Sequence, residues 1–139
     1  MARIVIDASA TLAWLFDEDN AKARVRPILD ASELVAPWLW RLEVANAILV
    51  RERRRLIAET LASRLLQALD ELKIDLVDEP ADRTVVGLAQ SARPYQLSAY
   101  DAVYLDLAIR LGLPLFTCDN NLRTAAQRVG VKLVGEGKI

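Results

Sequence analysis

At 139 residues with 53% hydrophobic content, the chain has enough apolar material for one well-buried core and too little length for two ordinary domains, which predicts a single domain over 1–139. No run approaches the ~20 apolar residues of a bilayer span. The single cysteine excludes an internal disulfide, the absence of histidine leaves little to hold zinc or copper, and a net charge of −1 neither favours nor disfavours nucleic acid as a partner. Residues 4–6 read as a strand ending at Asp7, and 10–16 as a helix entered through a short polar turn. The polar stretch 17–20 breaks that helix. A second helical stretch over 21–31 contains Pro27, read as a new helical start rather than an interior position.

A short strand is predicted over 34–36, then a helix from 37 to 50 with Pro37 in its first turn, where the missing N–H does no harm. The basic run 51–55 closes that helix favourably at the negative end of its dipole. Residues 57–72 repeat apolar side chains at helical spacing and should form a hairpin with the helix before them, and 74–77 is a third strand. Helices follow over 82–93, ending before Pro94, and over 102–111, closed by Gly112. The chain finishes with a strand over 114–118, a helix over 121–129 closed by Gly130, and a last strand over 131–134. Cys118 is read as a packed residue of the fourth strand. The N-terminal run enters a strand at once, without the basic, apolar and small-residue succession of a secretion signal, so cytoplasmic residence is the expectation.

Short apolar strands alternating with helices predict a three-layer α/β/α fold with a mainly parallel central sheet covered on both faces. Ligands of such sheets gather beyond the carboxyl ends of the strands. Asp7 and Asp119 each follow an apolar strand directly and so share that rim. Either could simply cap the helix it precedes, and both readings stay open at this point. Asp101 lies three residues after Ser98, which suits a capping box, yet it also shares a helix face with Leu105 and Ala108. Glu43 has Leu39, Ala47 and Val50 on its side of a helix, Asn46 as its only polar neighbour, and no basic residue four positions away. At ~5 Å and an effective dielectric of ~20, two buried carboxylates repel by roughly 3 kcal/mol. Such groups either take up protons or are neutralised by cations. Oxygen-only ligation in a chain without histidine points to Mg²⁺ or Mn²⁺ held by Asp7, Glu43, Asp101 and Asp119, a site suited to phosphoryl-transfer chemistry.

The segments that carry these acids, IVIDAS at 4–9, LEVAN at 42–46, LSAYDAVYLDLA at 97–108 and FTCDNNL at 116–122, resemble the PIN-domain ribonucleases, in particular the toxins of VapBC toxin–antitoxin systems. The resemblance spans essentially the whole chain, and the third segment is its most specific part. It implies a PIN-like fold, Mg²⁺- or Mn²⁺-dependent cleavage of RNA, and Asp7, Glu43, Asp101 and Asp119 as metal ligands. Ser9 and Thr117 would support the site by holding a carboxylate or a water, while the role of Asn121 is left open. The resemblance also implies a homodimer and a small VapB-like antitoxin covering the acidic cleft and apolar grooves. Trp14, Trp38 and Trp40 could serve that interface, with core packing expected for at least one of them. Arg51, Arg53, Arg54 and Arg55 are the candidates for RNA phosphate contact, set against a solvated helix end as the plainer reading.

Three other readings compete. A phosphatase of the haloacid dehalogenase type also opens on a strand-end aspartate but carries a second one two residues on, where this chain has Ser9. A receiver domain would need a lysine after a late strand. Neither that lysine nor a phosphate-binding glycine loop is evident. A catalytically silent PIN-like interaction module is the remaining alternative, against which the intact acidic quartet argues.

Overall fold

The computed structural model describes residues 2–135, apart from the Asp19 side chain. Its strands are Ala2–Ile6 (β1), Ser32–Pro37 (β2), Ile74–Val77 (β3) and Leu115–Phe116 (β4). The helices are Ala8–Leu15 (α1), Ala21–Asp30 (α2), Leu39–Arg53 (α3), Glu59–Glu71 (α4), Val85–Ala92 (α5), Ala99–Leu111 (α6) and Asn120–Val129 (α7). The sheet runs β3-β2-β1-β4, and every pairing in it is parallel.

That order dictates where the helices go. From β1 the chain steps to β2 and then β3 in one direction, and from β3 it crosses back to β4 on the far side of β1. Right-handed crossovers then place α1–α4 over one face and α5–α7 over the other. The packing agrees: α1 lies against α2 and α3, α3 against α4, and α6 against both α5 and α7. With both faces covered, the strands are buried on each side. Val5, Val35, Ala36, Leu115 and Phe116 are all sealed from solvent. The direction of winding reverses between β1 and β4, which makes the crevice at their carboxyl ends the expected place for a ligand.

Several local predictions need correction. Pro27 sits inside α2 rather than starting a new helix. Both Pro27 and Ala23 are exposed, so the carbonyl that the missing N–H would have bonded faces water. Pro37 is the last residue of β2, paired with Val77, and α3 begins two residues later than expected. At a strand end the absent N–H costs no ladder bond. The predicted strand over 131–134 is a single bridge, Leu115 to Leu133, flanked by Leu115 N donating to Lys132 O and Val134 N donating to Leu115 O. A two-residue β4 offers no longer edge to pair with. Cys118 lies beyond the end of β4 and is exposed.

No described helix is long and apolar enough to cross a membrane.

Phe116 is fully buried at the residue that fixes β4 against Ile6. Phe116→Ala should therefore lower unfolding stability by about 3–5 kcal/mol, read from urea or thermal denaturation.

Candidate active site

Parallel pairing of Ile6 with Phe116 sets the ends of β1 and β4 side by side, with Asp7 N donating to Phe116 O at 3.1 Å. Asp7 is 2% exposed. Its carboxylate accepts from Ser9 Oγ at 2.8 and 2.9 Å, from Ala10 N at 2.9 Å, and from the Thr117 hydroxyl in a short contact. The bond from Ala10 makes Asp7 the N-cap of α1, so cap and buried acid are the same residue. Ser9 Oγ also accepts from Cys118 N, and Thr117 Oγ1 from Asp119 N, each at 3.0 Å. These bonds lace the β1–α1 turn to the β4–α7 turn. Asp119 in turn caps α7, accepting from Leu122 N at 3.0 Å.

Glu43 and Asp101 arrive from helices that start at the same rim. Glu43, on the second turn of α3, is half-buried, and its Oε1 accepts from Tyr104 Oη at 2.6 Å. Asp101, also half-buried, lies in the first turn of α6, and its backbone N–H is capped by Ser98 Oγ at 3.0 Å. Tyr104 is three residues further along α6 and buried, which carries its hydroxyl across to α3. A deeper link holds α3 in place: Trp40 Nε1 donates to Thr11 Oγ1 at 3.0 Å, and that hydroxyl donates to Asp7 O at 2.8 Å.

Asp101 is the electrostatic link among the acids. Burial raises the Asp7 carboxyl from 3.8 to about 6, against opposition from its Thr117, Ala10 and Ser9 hydrogen bonds, and Asp101 pushes it further up. Burial likewise raises Glu43, with Tyr104 opposing and Asp101 again adding to the rise. Asp101 is raised by burial and next by the charge on Asp119, while its bond with Ser98 lowers it. Asp101 thus couples to each of the other three. The groups that favour ionisation of Asp7, Glu43 and Asp101 are hydrogen-bond donors and not cations. Tyr104 is held well above its ordinary value by burial and by Glu43, which keeps it a donor.

The convergence is electrostatic and not yet coordinative. Among the described residues, no three acidic or thiol side chains stand close enough to share one ion. Three of the carboxylates are held by separate donors: Asp7 by two hydroxyls, Glu43 by Tyr104, and Asp119 by the α7 terminus. The donor set itself, carboxylate and hydroxyl oxygens with no nitrogen or sulfur partner, fits a hard divalent cation.

A family model described as the PIN domain matches residues 4–127. The chain belongs to the PIN-domain family. Similar relatives include Ribonuclease VapC3 of Pyrobaculum aerophilum, 32% identical over 120 residues that cover 86% of this chain and 92% of that one. Another is Ribonuclease VapC46 of Mycobacterium tuberculosis, 31% identical over 137 residues covering 96% and 98%. Among solved structures, VapBC2 of Rickettsia felis, bound to a DNA fragment from its promoter, shares the fold with a TM-score of 0.65. It is 11% identical and covers 95% of this chain and 97% of that one.

In this PIN-domain chain the sequence-predicted residues divide into two groups. Asp7, Ser9, Thr117 and Asp119 are laced together at the β1–β4 crevice, while Glu43 and Asp101 are linked to them through the charge on Asp101 rather than by a shared hydrogen bond. Asn121 does not join them: it is exposed and lines a separate small pocket with Tyr95, Gln96 and Arg128. Arg51 is engaged locally. Its guanidinium stacks on Phe16 at 4.1 Å, donates to Ala47 O at 3.2 Å and comes within 4.0 Å of Glu18. Arg53, Arg54 and Arg55 are exposed. Trp14 and Trp40 are core residues, while Trp38 is 43% exposed with Arg41 over its ring. Sequence reasoning missed Tyr104 and Thr11. The first was findable, because it lies one helical turn from Asp101 and the chain has only three tyrosines; the second shows itself only through its tertiary partner Trp40.

The raised Asp7 carboxyl has a stability consequence with a definite sign. Unfolded Asp7 gives up its proton near 3.8 and folded Asp7 near 6, so the folded state binds more protons between those values and loses stability as pH rises through them. The loss is about 3 kcal/mol by pH 7. In EDTA, Asp7→Asn should be as stable as the wild type at pH 4 and more stable at pH 7.5, as thermal melts at the two pH values would show. Severe destabilisation at both would mean that Asp7 serves α1 as a cap and nothing else.

Proposed function

We propose that this PIN-domain protein is a metal-dependent endoribonuclease, the toxin of a VapBC-type pair. The observation that carries the reading is the coupling of Asp101 to Asp7, Glu43 and Asp119, four carboxylates from four separate segments, at the switch point of a PIN fold. The ribonuclease names of relatives that align over nearly the whole chain support it.

Asp7, Glu43, Asp101 and Asp119 would hold Mg²⁺ or Mn²⁺. When bound, the cation supplies acidification of an attacking water and charge to offset the phosphorane and the leaving oxygen. The protein supplies the rest. Ser9 and Thr117 hydroxyls keep the Asp7 carboxylate ionisable and oriented despite its burial. Tyr104 aims Glu43, and the Trp40–Thr11 link fixes the distance from α3 to the end of β1. No histidine is available to act as a base, which matches a chemistry in which carboxylates and a cation handle the proton.

A small antitoxin is the expected partner, as in the Rickettsia felis VapBC2 complex. Trp38, which immediately precedes α3, and Leu42 and Leu49 on it suit such an interface: they are exposed and, at helical spacing, face one way. The reading also keeps a homodimer and cytoplasmic residence as expectations.

Purified protein should cut single-stranded or loop RNA with Mg²⁺ or Mn²⁺, lose activity in EDTA, and lose it in Asp101→Asn. Cleavage that survives both changes would sink the metal mechanism, and phosphate release from a small monoester without RNA cleavage would favour a phosphatase. Tyr104→Phe should weaken the metal requirement's half-saturation by about 10- to 100-fold while leaving the fold intact. Because protons compete with the cation for Asp7, activity should fall as pH drops through about 6.

A further inference from the structure

A nuclease of this kind must draw a polyanion toward a centre that already carries four carboxylates, so cationic groups have to lie close by. The structure offers a groove of about 560 Å³ whose walls include Glu18, Arg24 of α2, Thr117 and Cys118 after β4, and Asn120 and Arg123 of α7. Thr117 belongs to both places. Its hydroxyl rests on the Asp7 carboxylate, and its carbonyl accepts from Arg123 Nη1 at 3.2 Å. The groove therefore opens beside the acidic centre, with one guanidinium pinned at the boundary.

Cys118 shows the same continuity: it lines the groove with Arg24 and Arg123, and its backbone N–H donates at 3.0 Å to Ser9 Oγ, the hydroxyl that bonds the Asp7 carboxylate. Glu18 is offset in part by Arg51, 4.0 Å away. The described lining includes no aromatic ring, which suits contact with phosphates rather than stacking on bases.

We propose that this groove is a backbone-phosphate subsite for single-stranded RNA, in which Arg24 and Arg123 hold a phosphate neighbouring the one that is cleaved. The inference rests on the nuclease reading above and adds to it two positioning residues and a strand path. Guanidinium forks suit this task because they meet phosphate oxygens through two parallel bonds. Contact with phosphate alone makes the subsite indifferent to sequence.

The test uses the full chain with Mg²⁺ and a labelled RNA oligonucleotide that the wild type cuts, with kcat and KM measured across KCl concentrations. Arg24→Gln and Arg123→Gln should each raise KM several-fold with kcat nearly unchanged. Each should also reduce the slope of log kcat/KM against log salt by about 0.7, the loss of one phosphate contact. Arg123→Lys should restore most of the slope, which separates charge from the bond to Thr117. Cys118, the only cysteine, should react more slowly with a thiol reagent when the oligonucleotide is present.

An unchanged salt slope in Arg24→Gln, or thiol protection by an acidic peptide and none by RNA, overturns the subsite while the nuclease reading stands. A wild type that cuts no RNA overturns the nuclease reading and the subsite with it.

Discussion

Withdrawal of the Asp7 carboxylate from water is the constraint around which the rest of the molecule is arranged. A lone buried carboxylate is costly, and this one is compensated by two hydroxyls and a backbone N–H drawn from both sides of the β1–β4 pair. Those donors come from Ser9, Thr117 and Ala10, so the burial of one acid obliges two turns far apart in sequence to meet. The compensation is incomplete. The carboxyl still titrates near 6, and the remaining imbalance is what a divalent cation would correct.

Once the turns are joined, the other acids follow from topology. β2 lies beside β1, so α3 begins at the same rim and carries Glu43 there; β4 lies on the other side of β1, so α7 begins there with Asp119 as its cap. α6 packs against β1, β2 and β4 and delivers Asp101 from its first turn. Helix capping and the proposed cation binding would make compatible demands on Asp119. As the N-cap of α7, Asp119 accepts through Oδ1, which leaves acceptor capacity for a further partner, whereas both oxygens of Asp7 already accept.

Much of this was legible in the sequence because both signals involved are local. Apolar runs ending at Asp7 and before Asp119 located two strand ends, and the helical spacing around Glu43 and Asp101 located two inward faces. Hidden from the sequence were features decided by tertiary contact. The terminal strand shrank to one bridge because its partner β4 spans two residues, and Pro27 was absorbed because its freed carbonyl points to water. The arginine run drew attention by its density, yet Arg51 is spent on Phe16 and Ala47. Arg24 and Arg123, ninety-nine residues apart in sequence, are brought to one groove only by the packing of α2 and α7 around the end of β4.

The bond from Thr117 to Asp7 spans 110 residues, and the pairing of β4 with β1 closes a loop of the same order. Long loops close late, after local hairpins and helices have formed. The acidic centre therefore cannot be completed before β4 has paired with β1, whatever local structure has formed by then. A nascent chain that has released β1 through α6 carries three of the four acids without the strand that seats them. The acids and the strand that seats the first of them are thus supplied by widely separated stretches of chain, and the pocket exists only where the two have met.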